Sequence, residues 1–566
     1  MTTPEENPDE AERLAYEARV RRRVPILLKY LKEGKLSVAD KLAPQVRESL
    51  AKLRYDAQGE LVLDSVDEFI RSMAIYPDYL ESREETKSIA SLAEIQRKYF
   101  SVIESNFGFI YDKMVEANWT PQRTAEHFAD AREETVDHLN ESIDELLAYF
   151  TEFWQATSEV AYTHLEDAHS SIKAVFGGDM FPRDDENIVS KCGLYADTVV
   201  LPDPFVRTRM HFTKWSKRER VFYMVKHSMN VLQYKVLAVA EVDKPIVVIL
   251  PDKELMPEGE LEEIARLGAE DCVFHCSKLF GMPFKSLEEV DAYGRTLDSI
   301  DKAIASVRSP ERLLINAEDQ SDLKQQLAEL CEGPAKLFAG ITNPGQALVN
   351  NSFGRLAVAN ELILKAAQLS GTPLIEAPTS WEYFKWKLEY DAERANPGLD
   401  VSRLHMTRAL NELGGRKLEW FGRVPVKALI ELRQTGAIDE VRALLSSGVD
   451  EIAQSAPGDF EATSQKVMDN INAAFDAHLD NVEKLKQKKW KFAGHDVGSW
   501  LVSGAIEVTA ACVGTPIWGL STFALNQFLD APKLKDIPKD AKEIADLSKK
   551  VKRSPIGVLF KYKTYE

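Results

Sequence analysis

Two apolar runs of this chain end in the same tripeptide. Asp197-Thr-Val-Val-Leu-Pro-Asp203 and Pro245-Ile-Val-Val-Ile-Leu-Pro-Asp252 both close on Leu-Pro-Asp, and a third run, Pro373-Leu-Ile-Glu376, closes on Glu. Carboxylates gathered at one end of parallel strands hold Mg²⁺ and position a water for phosphate or phosphodiester hydrolysis. Asp203, Asp252 and Glu376 are therefore candidate catalytic residues, with Asp184, Asp185 and Asp197 as further contributors. The competing assignment is plainer: Pro-Asp after a strand is also turn and helix-cap chemistry.

A second pattern begins beside Asp203. From Phe205 to His227 stand Arg207, Arg209, Lys214, Lys217, Arg218, Arg220 and Lys226 against one acid, Glu219, with Phe205, Phe212, Trp215, Phe222 and Tyr223 interleaved. Arginines fork onto phosphates and aromatic rings stack on bases. Arg207, Arg209, Lys214, Lys217, Arg218 and Arg220 are thus candidate anion-binding residues, and a nucleic-acid contact through 205–227 would follow. Alternatively the rings form the core face of a helix and the cations pair with acids elsewhere in the chain.

Other clusters carry less. Cys272-x-x-His275-Cys276 is half of a zinc spacing without a second half, which reads as buried helix cysteines. Glu166-x-x-His169 is half of a di-iron motif, and no other histidine has Glu three positions before it. His164, Asp167 and His169 are then expected on a solvated helix surface. The chain has no GxxxxGK[ST], GxSxG or HExxH, and no GxGxxG after a strand.

The most unusual segment lies near the carboxyl end. Val497–Leu529 has one charged residue, Glu507, in 33 positions, and many small ones. Lys484, Lys486, Lys488, Lys489 and Lys491 surround Trp490 upstream, and Lys533 and Lys535 follow. Small residues inside an apolar stretch with basic and aromatic flanks suit an element that enters a bilayer. Gly514-Thr515-Pro516 divides it into pieces of 17 and 13 residues. Each is short against the ~20 residues of a span, so a re-entrant or interfacial helical hairpin is expected. A charged Glu507 in lipid costs about 3 kcal/mol. Lys488, Lys489, Trp490, Trp500, Glu507 and Trp518 are the candidate membrane or partner contacts. A buried hairpin inside a soluble protein carries the same pattern.

The elements that must position these residues are mostly helical. Helices are predicted at Asp9–Arg23, Pro25–Leu31, Ser37–Arg54 and Asp64–Met73, with Ser37 and Asp64 as caps. Residues 83–118 and 121–176 are nearly free of Gly and Pro. They are expected to form an antiparallel hairpin whose second arm is roughly 80 Å long. Its apolar positions Val136, Leu139, Ile143, Leu146, Phe150 and Phe153 alternate spacings of three and four. The Leu-Pro-Asp runs, separated by the helical pattern Lys214–Val242, predict parallel neighbouring strands. Leu313–Asn316 and Pro373–Glu376 are weaker strand candidates. Further helices are expected at Glu260–Phe280, Ser286–Val307, Ser321–Leu330, Gln346–Leu369, Trp381–Ala395, Val401–Leu413, Val424–Arg433, Ile438–Ser446 and Phe460–Lys491. The expected fold is mainly α, with a long N-terminal helical hairpin over 1–176 and a small parallel α/β core over 177–380. A helical domain over 381–495 and the apolar hairpin with its basic tail over 496–566 complete it.

Composition excludes some classes. The 566 residues are 44% hydrophobic and 28% charged with only 25 Pro and 28 Gly, so the chain is neither disordered nor collagen-like. Five cysteines without framework spacing argue against a disulfide-built secreted protein, and the N-terminus shows no apolar signal region. A cytoplasmic protein, peripheral to membrane if its apolar end is shown, is expected. Net charge is −19, yet Lys484–Glu566 carries fifteen basic against eight acidic residues, which leaves −26 in the preceding 483. An acidic body repels anionic partners while a basic tail attracts them. The reading that follows is a non-enzymatic interaction or effector protein without cofactor, restrained until triggered, whose apolar end acts on an anionic membrane or on a partner protein. Bacterial stress or phage defence would suit such a device. The alternative is an Mg²⁺-dependent hydrolase or nuclease built on Asp203, Asp252 and Glu376.

Overall fold

The structure, a computed structural model, describes residues 8–183, 187–252, 258–319, 321–332, 343–393, 400–416, 424–487, 491–492 and 495–496. The described chain divides into two compact units, one drawn from Met1–Ile95 and Thr157–Asp167, the other from Gln96–Ala156 and Ala168–Glu566. It is mainly α with a small parallel sheet.

The first unit holds α1 (Pro8–Lys32), α2 (Ala43–Ala51), α3 (Glu68–Met73) and α4 (Ile75–Ile89). Two helices were expected around Pro25, but α1 runs through it. The lost hydrogen bond is offset by burial of Val20, Val24 and Leu27 against Leu61, Val66 and Ile70. The cap of α3 is Asp67, which accepts from the Ile70 N–H at 2.9 Å, rather than Asp64. Ser37 caps nothing, since α2 starts at Ala43. Asp167 is not solvated surface, because Arg83 and Lys87 both pair with it at 2.8 Å.

The expected 80 Å arm is broken. In place of one helix over 121–176 there are α6 (Pro121–Ala129), α7 (Glu133–Glu141) and α8 (Ile143–Asp167), preceded by α5 (Leu92–Glu116). The apolar stripe still packs: Val136, Ile143, Leu146 and Phe150 are buried, and Tyr99 of α5 meets Phe150, Phe153 and Trp154 of α8. The arm ends early because Lys173–Gly177 is a strand, β1. All five of its residues are buried, so it shows none of the alternation that marks a half-exposed strand.

β1 is a central strand of a four-stranded sheet. Next come α9 (Ile188–Cys192), β2 (Thr198–Pro202), α10 (Pro204–Phe212), α11 (Lys217–Leu232), α12 (Lys235–Ala238) and β3 (Val247–Leu250). The two Leu-Pro-Asp runs are therefore β2 and β3, and they pair in parallel with Val199 opposite Val247. The Lys214–Val242 pattern is two helices rather than one: a Ser216–Glu219 capping box starts α11, which ends at Leu232, and α12 follows from Lys235. α13 (Glu258–Phe280), α14 (Leu287–Thr296), α15 (Ile300–Ser306), α16 (Leu323–Glu332) and α17 (Pro344–Gln368) lead to β4 (Thr372–Ile375). Ser286–Val307 splits because Ser299 caps α15 through the Lys302 N–H. Leu313–Asn316 is no strand; the Leu314 carbonyl accepts from Tyr383 and Asn351 side chains instead of a ladder partner.

Strand order is β3-β2-β1-β4, all parallel. The chain steps outward from β1 to β3 and then adds β4 on the far side of β1. That reversal makes a switch point between β1 and β4, whose carboxyl edge is where open α/β sheets take ligands. Beyond the sheet come α18 (Pro378–Glu393), α19 (Val401–Arg416), α20 (Val426–Gln434), α21 (Ile438–Ser446), α22 (Val449–Ser455) and α23 (Phe460–Gln487).

Candidate functional site

Four loops leave the carboxyl edge of the sheet, and the predicted carboxylates stand there. Asp203 follows β2 and is fully buried. Its Oδ1 accepts from the Phe205 and Val206 N–H groups at 2.7 and 3.2 Å, and its Oδ2 accepts from the Trp154 indole. Burial pushes this carboxyl up to about 6, against the pull of Trp154 and the two backbone donors. Burial, and then the Asp203 charge, push the neighbouring Tyr99 phenol well above its ordinary value.

Asp252, after β3, is held by two cations. Arg207 Nη1 donates to Oδ2 at 2.7 Å, and Lys365 Nζ of α17 donates to Oδ1. The three side chains are 3%, 13% and 2% exposed, so this is a buried ionic cluster. Burial works against the Arg207 charge, but Asp252, Glu361 and Asp179 outweigh it and hold its pKa high. Glu361 lies one turn before Lys365 and is itself buried. These groups enclose, with Gly177 and Gly178 at the end of β1, a cavity of about 10 Å³. That is room for about one water. Gly178 has φ +82°, and a Cβ there would stand 3.0 Å from that of Ser380, so the backbone comes close because no side chain is present.

Glu376, after β4, is half-buried and accepts from the Arg183 N–H at 2.7 Å. Asp197 lies at the opposite end of β2, where Arg442 and Lys244 meet it at 2.7 and 3.1 Å, so it contributes nothing to this edge. Asp184 and Asp185 lie outside the described residues. Among the described residues, no group of three or more His, Cys, Asp or Glu could hold a metal ion.

The cations after β2 turn mostly toward their own chain. Arg207 points inward to Asp252, and Arg209 donates to Thr151 Oγ1 at 3.0 Å. Lys217, Arg218 and Arg220 pair with Asp137, Glu133 and Asp144 of α7 and α8 at 2.5 to 2.8 Å. Lys214 is exposed. Phe205 and Phe212 are core, and Trp215 stacks on Tyr223 at 4.0 Å. Four of the six candidate cations, Arg207, Lys217, Arg218 and Arg220, thus pair with acids of their own chain.

Cys272 and Cys276 are buried with sulfurs 3.9 Å apart, and His275 Nδ1 meets the Tyr390 hydroxyl at 2.8 Å. Burial lowers His275 to about 3. Lys488, Lys489, Trp490, Trp500, Glu507 and Trp518 all lie outside the described residues, as does Val497–Leu529. Among the described residues no helix is long and apolar enough to cross a membrane. Lys365 and Glu361 were missed at the sequence level; the one available signal was a Glu and a Lys four residues apart within the mostly apolar Leu356–Ala367 stretch. Compared with protein-family models, curated proteins and solved structures, the chain matches none.

Proposed function

We propose that this chain is a non-enzymatic interaction or effector protein. Its N-terminal unit engages a protein partner, and Val497–Leu529 with its lysine flank acts on an anionic membrane or on a partner. The observation that carries this reading is where large apolar side chains meet solvent. Eight of the fifteen such side chains among the described residues belong to the first unit: Leu14, Tyr16, Leu42, Tyr55, Ile75, Tyr76, Tyr79 and Ile89. Tyr16 and Ile75 line a groove of about 250 Å³ with Arg71, which donates to the Tyr16 hydroxyl at 3.1 Å. Tyr and Arg around apolar side chains are the residues that dominate contact energies between proteins.

The engagement of Asp203 and Asp252 by donors of their own chain supports the non-enzymatic side of the reading. The hydrolase alternative would rest on Asp203, Asp252 and Glu376, which follow three parallel strands of one sheet. Restraint and release of a harmful end would suit bacterial stress or phage defence. The test is flotation of the full chain, and of the chain lacking 497–529, with phosphatidylserine vesicles. The full chain is expected to float, less so at high salt, and the shortened chain to remain below. Equal behaviour of the two overturns the membrane arm. Failure of a photo-crosslinker placed at Tyr76 to trap one defined protein overturns the partner arm.

A further inference from the structure

We propose that the cleft at the turn between α5 and α6 binds a small planar aromatic compound carrying one negative charge. The cleft has a volume of about 560 Å³. That falls in the ~300–1,000 Å³ range of small-molecule sites, unlike the single-water space at the sheet edge. Its walls come from one unit alone.

Trp119 is the fixed element of this cleft. Asn118 takes φ +50°, and the Asn118 and Trp119 N–H groups return to the Val115 and Met114 carbonyls at 3.1 and 2.9 Å. This pairing is a Schellman end to α5. One residue later Thr120 caps α6 through the Arg123 N–H at 3.1 Å, with Pro121 in the first turn. The indole is thus carried on a backbone clamped from both sides, and its ordering need not be supplied by a ligand. His127 and Phe128 add rings beside it, with the His127 centroid 4.9 Å from Trp119, and Met114 adds a thioether. Ring walls of this kind take a flat ligand by stacking and edge contacts.

Charge sets the second half of the class. Lys113 lines the cleft, and Arg123 lies 5.2 Å over the Trp119 ring. Neither has a carboxylate partner among the described residues. Glu116 is the one acid in the lining. Lys113, which also lies over the Phe109 ring, and Arg123 beside the cleft against one acid leave a balance for a single negative charge, as on an aromatic monocarboxylate.

The experiment is calorimetric titration of the full chain with 1-naphthylacetate, its neutral amide, and cyclohexylacetate. The naphthyl acid is expected to bind with a Kd below about 1 mM, within the reach of a ligand of this size. The amide, lacking the charge, should bind about fivefold more weakly. Cyclohexylacetate and the Trp119→Ala variant should each lose about tenfold, because stacking is gone. Trp119→Phe should recover part of the loss, which separates ring contact from damage to the fold. Lys113→Gln should erase the preference for acid over amide while leaving amide binding unchanged. No heat with the acid up to about 5 mM overturns the site. Equal binding by folded Trp119→Ala, or by amide and acid alike, overturns the aromatic or the anionic half respectively.

Discussion

Arg207 Nη1 lies 2.7 Å from Asp252 Oδ2 at the carboxyl edge of the sheet, and Lys365 holds the other oxygen of the same carboxylate. A carboxylate so enclosed serves as counter-charge to two buried cations. Its removal leaves Glu361 as the remaining buried acid beside the two cations.

Asp252→Asn is therefore expected to destabilise the protein by about 3–5 kcal/mol, the usual cost of breaking a buried ion pair by removing one partner. Urea unfolding of the full chain measures it. Replacing all four groups at once, as Arg207→Met, Asp252→Leu, Glu361→Leu and Lys365→Met, should return most of that loss. A single-variant cost below about 1 kcal/mol would mean that water reaches the cluster.

Asp203 gives a pH signature of one sign. Its carboxyl titrates at about 6 when folded. Unfolded it titrates near about 3.9, so between these values the native state holds the extra proton. Stability from this group is full below about pH 4, falls as pH rises to about 6, and is level above. The unfolding free energy of the wild-type chain relative to Asp203→Asn should drop by about 2–3 kcal/mol from pH 4 to pH 7. A constant difference would place the carboxyl in contact with solvent.

His227 gives the opposite sign. Burial, with a smaller push from Lys226, lowers it to about 3, and its Nε2 lies 3.2 Å from Thr208 Oγ1. Unfolded it titrates near about 6.5 and takes up a proton that the native state refuses, so stability falls as pH drops through that window. From pH 7 to pH 5 the wild-type chain should lose about 2 kcal/mol relative to His227→Phe, measured by the same unfolding. A variant that loses stability in parallel with the wild type would contradict the burial of this ring.

Gly178→Ala tests the close approach after β1. With φ at +82° and Ser380 and Ile375 within 3.1 Å of the added carbon, the change should cost about 1–3 kcal/mol. Gly458→Ala, where a Cβ meets nothing, is the control and should stay within about 0.5 kcal/mol.

Much of the architecture is readable from residue order alone. The Leu-Pro-Asp runs are short, β-branched and separated by helical spacing, and they become β2 and β3 in the parallel pairing that such a crossover requires. Val136, Ile143, Leu146 and Phe150 of the stripe are buried although the helix carrying it is broken, because periodicity encodes which face is apolar and not where the axis bends. The site was less legible. Asp203 and Asp252 could be located, but not what they do.

Local sequence determined the elements, their apolar faces and the strand-end position of the carboxylates, since propensity and spacing act over a few residues. Only the tertiary structure decided that Lys173–Gly177 is a central strand, where burial on both faces erases the alternation that would reveal it. It also decided that Asp252 belongs to Arg207, 45 residues away, and to Lys365, 113 residues away. Such a pairing is set by which chain segments the packed sheet brings together, and no periodicity carries that information.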